Sequence, residues 1–128
     1  MNKYLFLILV VFIAFSYGCR EKAVKYEDSG KTIHLMIDQI LKVSLPSDAS
    51  TPNDWRKTAY NDEILHRMGK PNYMLSDGST GSPGMTTFKF KALQVGESKL
   101  YMEYGNKYKS EKAALKVFEL NIVIVAKN

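Results

Sequence analysis

The sequence predicts an all-β protein, a sandwich of short strands that follows an N-terminal signal helix. Apolar residues alternate with polar ones in successive segments, which is the period of a half-buried strand. Turn-forming residues separate those segments at regular spacing, and helical periodicity is nearly absent. The 128 residues, 45% hydrophobic, 12% aromatic and 24% charged, supply one packed core and read as one folded domain. A single cysteine excludes an internal disulfide framework and a Cys-rich metal site.

The chain opens with Met1-Asn2-Lys3, continues as a nearly unbroken apolar run from Tyr4 to Phe15, and reaches the lone Cys19 through Ser16-Tyr17-Gly18. A basic start, an apolar stretch and small residues are the parts of a secretory signal peptide. The run is shorter than the ~20 apolar residues that cross a bilayer, so residues 1–18 are expected to be cleaved rather than retained as a span. The cysteine at the cut resembles a bacterial lipobox, with Ser16 where that motif usually carries an aliphatic residue. The resemblance implies lipidation of Cys19 and an exported domain tethered to a membrane of the cell envelope, facing the periplasm or the outside. Residues 19–30 are then the lipidated N-terminus and its tether, since Arg20 to Ser29 is mostly polar, and residues 31–128 form the domain.

Within the domain, Ile33, Leu35 and Ile37 alternate with Thr32, His34, Met36 and Asp38, giving a first strand. Leu41, Val43 and Leu45 form the next, which Pro46 is expected to end because it has no N–H for a ladder. Ser47 to Asp54 is a polar loop, and Trp55 is expected to anchor the core. Asn61 can cap, Asp62 and Glu63 suit a first turn and Gly69 can close it, so Asn61 to Gly69 is read as a short helical turn. A short strand over Pro71 to Leu75 leads into Ser76 to Gly84, the longest turn-forming stretch. Phe88, Phe90 and Ala92, a turn at Val95-Gly96-Glu97, then Leu100, Met102 and Tyr104 read as a hairpin. A polar connection, Gly105 to Ala113, precedes a last strand through Phe118, Leu120, Ile122 and Ile124. Val123 and Val125, apolar on its outward parity, suggest an edge or partner surface.

Catalysis needs converging nucleophile, base and acid, or a set of metal ligands. His34 has the outward parity of a strand, and His66 has no second histidine or cysteine at ligand spacing. Gly78, Gly81 and Gly84 follow neither the dinucleotide nor the P-loop spacing. Asp48, Asp54, Asp62, Glu63 and Asp77 are carboxylates that nothing in the sequence pairs. The full chain carries +5, and without Lys3 of the cleaved segment 17 basic against 13 acidic residues leave +4, spread over Lys22, Lys25, Lys42, Lys57, Lys70 and the Lys107 to Lys112 region, as on a solvated surface rather than a nucleic-acid footprint. The reading is a non-enzyme without metal, cofactor, nucleic-acid partner or small-molecule substrate.

Three unusual loops remain, Ser47 to Asp54, Ser76 to Gly84 and Gly105 to Ala113, set in a framework of Leu45-Pro46, Trp55, Phe88-Lys89-Phe90-Lys91-Ala92, Gly96 and Tyr104. In the order and spacing of these residues the chain, from about Gly30 to Val125, resembles the chagasin family of cysteine peptidase inhibitors. That family's first loop carries Asn-Pro-Thr-Thr-Gly-Tyr-x-Trp after a Leu-Pro strand end. Here Leu45-Pro46-Ser47 is followed by Asp48-Ala49-Ser50-Thr51-Pro52-Asn53-Asp54-Trp55, with Asp48 in place of Asn, Ala49 of Pro, Ser50 of the first Thr and Pro52 of Gly, while Thr51 is kept. The family's Gly-x-Gly-Gly before Phe-x-Phe-x-Ala appears as Gly81-Ser82-Pro83-Gly84 before Phe88-Lys89-Phe90-Lys91-Ala92. After Tyr104, Gly105-Asn106-Lys107-Tyr108 takes the place of Arg-Arg-Pro-Trp, with Tyr108 where the Trp falls.

The resemblance implies an immunoglobulin-like β-sandwich of about seven to eight strands. It also implies an inhibitor that occludes the cleft of papain-like cysteine peptidases non-covalently with three loops. The peptidase-binding residues so implied are Asp48, Ala49, Ser50, Thr51 and Pro52; Gly81, Ser82, Pro83 and Gly84; and Asn106, Lys107 and Tyr108. The alternative is a non-inhibitory envelope lipoprotein whose immunoglobulin-like domain serves binding or adhesion, because loops carry function while scaffolds carry packing.

Overall fold

The computed structural model describes residues 21–75 and 84–127, so the N-terminal stretch read as a signal peptide, Cys19 and the centre of the second loop lie outside it. Nine strands occur among the described residues: β1 (Glu21–Lys25), β2 (Thr32–Met36), β3 (Ile40–Ser47), β4 (Asn53–Ala59), β5 (Leu65–Arg67), β6 (Asn72–Leu75), β7 (Gly84–Ala92), β8 (Gly96–Asn106) and β9 (Lys116–Val125). A single turn of 3-10 helix, Tyr26–Asp28, follows β1. One sheet has the order β1-β3-β7-β5 with β6 also on β7, and the other the order β2-β9-β8-β4. β1 lies parallel to β3 and β2 parallel to β9, while the other pairs are antiparallel. The immunoglobulin-like sandwich expected from the sequence is the fold.

Alternation builds the core. Leu41, Val43 and Leu45 of β3 and Phe88, Phe90 and Ala92 of β7 face Leu100 and Met102 of β8 and Phe118, Leu120, Ile122 and Ile124 of β9, all buried. Phe90 and Phe118 are wholly inaccessible, each contributing on the order of 2 kcal/mol by burial. Trp55 is buried as expected, tilted against Tyr104 at 5.2 Å and Tyr26 at 6.4 Å between ring centroids.

Several expectations are corrected. Glu21 to Lys25, read as part of a tether, is a strand: it pairs with Ile40 to Ser44 and buries Val24. A single apolar residue at the inward position suffices when a neighbouring strand supplies the ladder. β3 runs through Pro46 to Ser47, since β1 ends opposite Ser44 and the strand carries only one ladder beyond that point. Asn61 does cap a turn, its Oδ1 accepting the Glu63 N–H at 3.0 Å, but Leu65 to Arg67 then pair with β7 because Leu65 is fully buried against it. Gly69 has φ +66, the left-handed conformation its position required.

The expected hairpin from Phe88 to Tyr104 is instead a crossover, since β7 and β8 lie in different sheets and Val95-Gly96 carries the chain between layers. Alternation is identical in a hairpin and in two facing strands. β9 is no edge, because β2 covers its outer side, which leaves Val123 half-buried and Val125 exposed.

Candidate functional site

Strand register brings the three loops to one end of the sandwich. Ser47, the last residue of β3, is opposite Gly84, the first of β7, which is also opposite Leu75, the last of β6. In the other sheet Asn53, the first residue of β4, is opposite Asn106, the last of β8. The first loop therefore bridges the sheets, the second leaves β6 and returns in β7, and the third leaves β8 beside the first.

The first loop, residues 48–52, is fixed from within. Asp48 Oδ1 accepts the Ser50 N–H at 3.0 Å and the Ser50 hydroxyl at 2.6 Å, an Asx turn. The Asp48 carbonyl accepts the Thr51 hydroxyl at 2.8 Å and the Thr51 N–H at 3.2 Å. Thr51 Oγ1 in turn accepts the Asn53 N–H at 3.3 Å. The Ser50 side chain, and then the Ser50 backbone N–H, hold the Asp48 carboxyl below the ordinary 3.8. Two buried aromatics fasten this turn to the core: the Tyr104 hydroxyl accepts the Asp48 N–H at 3.1 Å, and Trp55 Nε1 donates to the Pro46 carbonyl at 3.0 Å.

The third loop is joined to the first by the Lys107 N–H, which donates to the Pro52 carbonyl at 3.0 Å. Its main clamp is Arg56. Trp55 is opposite Tyr104 and Lys57 opposite Glu103, so Arg56 is the extra residue of a β-bulge, the kind of irregularity that re-aims a side chain. Its guanidinium donates to the carbonyls of Asn106 at 3.1 Å, Lys109 at 3.0 Å and Lys112. It lies over Gly105, where a Cβ would come within 2.8 Å of Arg56 Cζ. Tyr108 stands at the tip, 76% exposed, its N–H donating to Asn106 Oδ1 at 2.9 Å and Lys107 Nζ lying 5.3 Å from its ring centre.

Of the second loop, Gly84 is described and Gly81, Ser82 and Pro83 lie outside the described residues. Gly84 is buried beneath Tyr73, whose ring occupies the space a Cβ would need. The Ser47 and Thr86 hydroxyls share a hydrogen bond of 2.7 Å at the foot of this loop. A cleft of about 490 Å³ opens between the first loop and β6, lined by Asp48, Thr51, Trp55, Tyr73 and Lys107 among others.

Thus Asp48, Ala49, Ser50, Thr51, Pro52, Gly84, Asn106, Lys107 and Tyr108 share one end of the molecule. The Ser50 and Thr51 hydroxyls donate inside their own loop, so they shape it. Sequence reasoning missed Arg56 and Tyr73. The bulge that aims Arg56 has no signature in Trp-Arg-Lys, whereas Gly105 and Gly84, small residues at strand ends, were the available hint that side chains cross there.

Residues 34–122 match the family described as chagasin family peptidase inhibitor I42. No curated protein matches the chain by sequence. Among solved structures, the cysteine protease inhibitor EhICP2 from Entamoeba histolytica is similar with a TM-score of 0.73 at 18% identity, over 82% of this chain and 96% of that one. Amebosin gives a TM-score of 0.59 at 17% identity, over 83% and 99% of the two chains. PbICP-C, solved in complex with falcipain-2, gives 0.50 at 13% identity, over 85% and 91%. The structural likenesses establish the fold, and the match across most of the domain establishes the kinship: this chain belongs to the chagasin family of peptidase inhibitors.

Proposed function

We propose that the chain inhibits papain-like cysteine peptidases by covering their active-site cleft with the three loops, and that it does so as an exported lipoprotein anchored through Cys19. The observation that carries the inhibitory reading is the ordering of the first loop before any partner arrives. Asp48, Ser50 and Thr51 bond one another, Tyr104 and Trp55 hold their base, and Lys107 ties them to the third loop. A loop already held in one shape loses little conformational entropy on docking. It also resists being drawn into the extended form in which a peptidase cleaves its substrates.

The wedge then divides its labour. The first loop enters the groove, with Ala49 and Ser50 exposed at its tip. Gly84 lets the Tyr73 ring pack over the foot of the second loop, which fixes the base from which that loop would meet one wall. Tyr108 offers a large ring and a hydroxyl to the other wall at small entropic cost. Protease–inhibitor interfaces of this class bury ~1,600 Å², which loops drawn from both sheets can cover. Nothing in this mechanism requires a covalent step.

The test is titration of residues 20–128 into papain with a fluorogenic substrate, beside a Thr51→Arg, Tyr108→Ala double variant. Saturable inhibition by the parent that the folded variant loses supports the wedge. Absence of inhibition of several papain-like enzymes at micromolar protein overturns it and leaves a binding lipoprotein on the same scaffold. The anchor is tested separately, by metabolic labelling with a radioactive fatty acid that Cys19→Ser abolishes.

A further inference from the structure

The chain enters the sandwich at the end opposite the three loops. β1 starts at Glu21 opposite Ile40, the first residue of β3, and β3 then runs away from that point to the first loop. The same end is made by the turn from Met36 to Ile40 and by the crossover from Ala92 to Gly96. Ile37 N–H donates to the Val125 carbonyl at 3.2 Å and Asp38 N–H to the Ala92 carbonyl at 2.9 Å, which locks the two turns together.

Four large apolar side chains are exposed around these turns: Met36 at 42%, Leu93 at 41%, Val95 at 58% and Val125 at 43%. Met36 and Val125 are cross-strand partners, and Val95 precedes Gly96, which is opposite Ile124 next to Val125. Single exposed apolar residues are ordinary, but a group at one end of a small domain marks a contact surface.

One residue, Arg20, separates Cys19 from β1 in the sequence, a spacer that reaches about 7 Å at most when extended. Acyl chains on Cys19 would place the bilayer directly against this end, without an intervening tether.

We propose that the end bearing Met36, Leu93, Val95 and Val125 rests on a lipid bilayer, with the three loops facing away from it. This rests on the membrane attachment proposed above. β8 spans the height of the sandwich with 11 residues, so the loops stand about 35 Å from the surface, clear of the headgroups. Asp38, Asp62, Glu63 and Glu97 share this end with Lys91 and Lys127. Glu21 adds to this acidic excess, so anionic headgroups do not strengthen the contact, which the four exposed apolar side chains make.

The test uses the full chain, made in a bacterial host that processes lipoproteins and reconstituted into phosphatidylcholine vesicles. Val95→Cys and Tyr108→Cys variants carry an environment-sensitive fluorophore, and the bilayer carries a spin-labelled lipid as quencher. The expected result is several-fold stronger quenching at position 95 than at 108, unchanged when part of the lipid is replaced by phosphatidylglycerol. Equal or reversed quenching in vesicle-bound protein overturns the orientation while leaving attachment intact, and quenching at 95 that needs phosphatidylglycerol overturns the apolar contact. Protein that fails to float with the vesicles overturns attachment, and the orientation with it. Papain inhibition by the Val95→Cys sample, whose three loops are unaltered, reports on the wedge independently.

Discussion

The Tyr104 hydroxyl, on a ring that is 5% exposed, accepts the backbone N–H of Asp48 at 3.1 Å and so fastens the first residue of one loop to the strand that leads into another. Tyr104→Phe removes that acceptor and almost nothing else. The expected loss is about 1 kcal/mol in denaturant unfolding, the usual worth of one hydrogen bond. Inhibition should weaken as well, because the Asp48 turn loses its seat, and the loss should appear as faster dissociation from the peptidase. Unchanged dissociation with the expected loss of stability would separate loop position from inhibition.

Arg56 governs the third loop through three carbonyls that its guanidinium reaches together. Arg56→Lys keeps the charge but not the planar fork, so it is expected to behave like Arg56→Ala rather than like the parent. Amide exchange over residues 107–113 should rise in both variants while the core strands stay protected. Equal protection in the lysine variant would mean that charge alone holds the loop.

Gly84 and Tyr73 form a steric lock. Gly84→Ala drives a methyl group into the tyrosine ring and is expected to lower stability by on the order of 2 kcal/mol, in the range of overpacked sites. Tyr73→Ala in the same chain should recover much of that loss, since the obstacle is one half-exposed side chain rather than backbone. Thermal unfolding of the two single variants and the double variant reads the coupling directly.

These residues show which parts of the molecule the sequence makes legible. Strand faces were readable because alternation reports burial directly: Leu41, Val43, Leu45, Phe88, Phe90 and Phe118 are all inside. The layer to which a strand belongs was not, so β7 and β8 looked like a hairpin although they face each other across the core. β1 was missed because an edge strand with one buried residue, Val24, has the composition of a linker. At the site, the order of the loops was legible but their internal bonding was not. Ser50 and Thr51 look the same in sequence whether they point outward or bond Asp48. The role of Arg56 depends on a bulge that only the pairing of β4 with β8 defines.

Asp48 gives the site an acid limit. Its folded carboxyl titrates below 3.8 because Ser50 bonds favour the ionised form, so the carboxylate contributes fully to loop order above its unfolded value and loses that contribution as pH falls through the folded one. The loop should therefore hold its shape from neutral pH down to about 4 and loosen only below that. The Ser50 amide resonance is expected to titrate in that acidic range in the parent. In Asp48→Asn it should stay flat, because the amide oxygen still accepts from Ser50 and carries no charge to neutralise. Asp48→Ala removes both Ser50 bonds at every pH, and its inhibition near neutrality should be weaker on the order of fivefold. An alanine variant that inhibits like the parent would show that the wedge does not depend on a preformed turn.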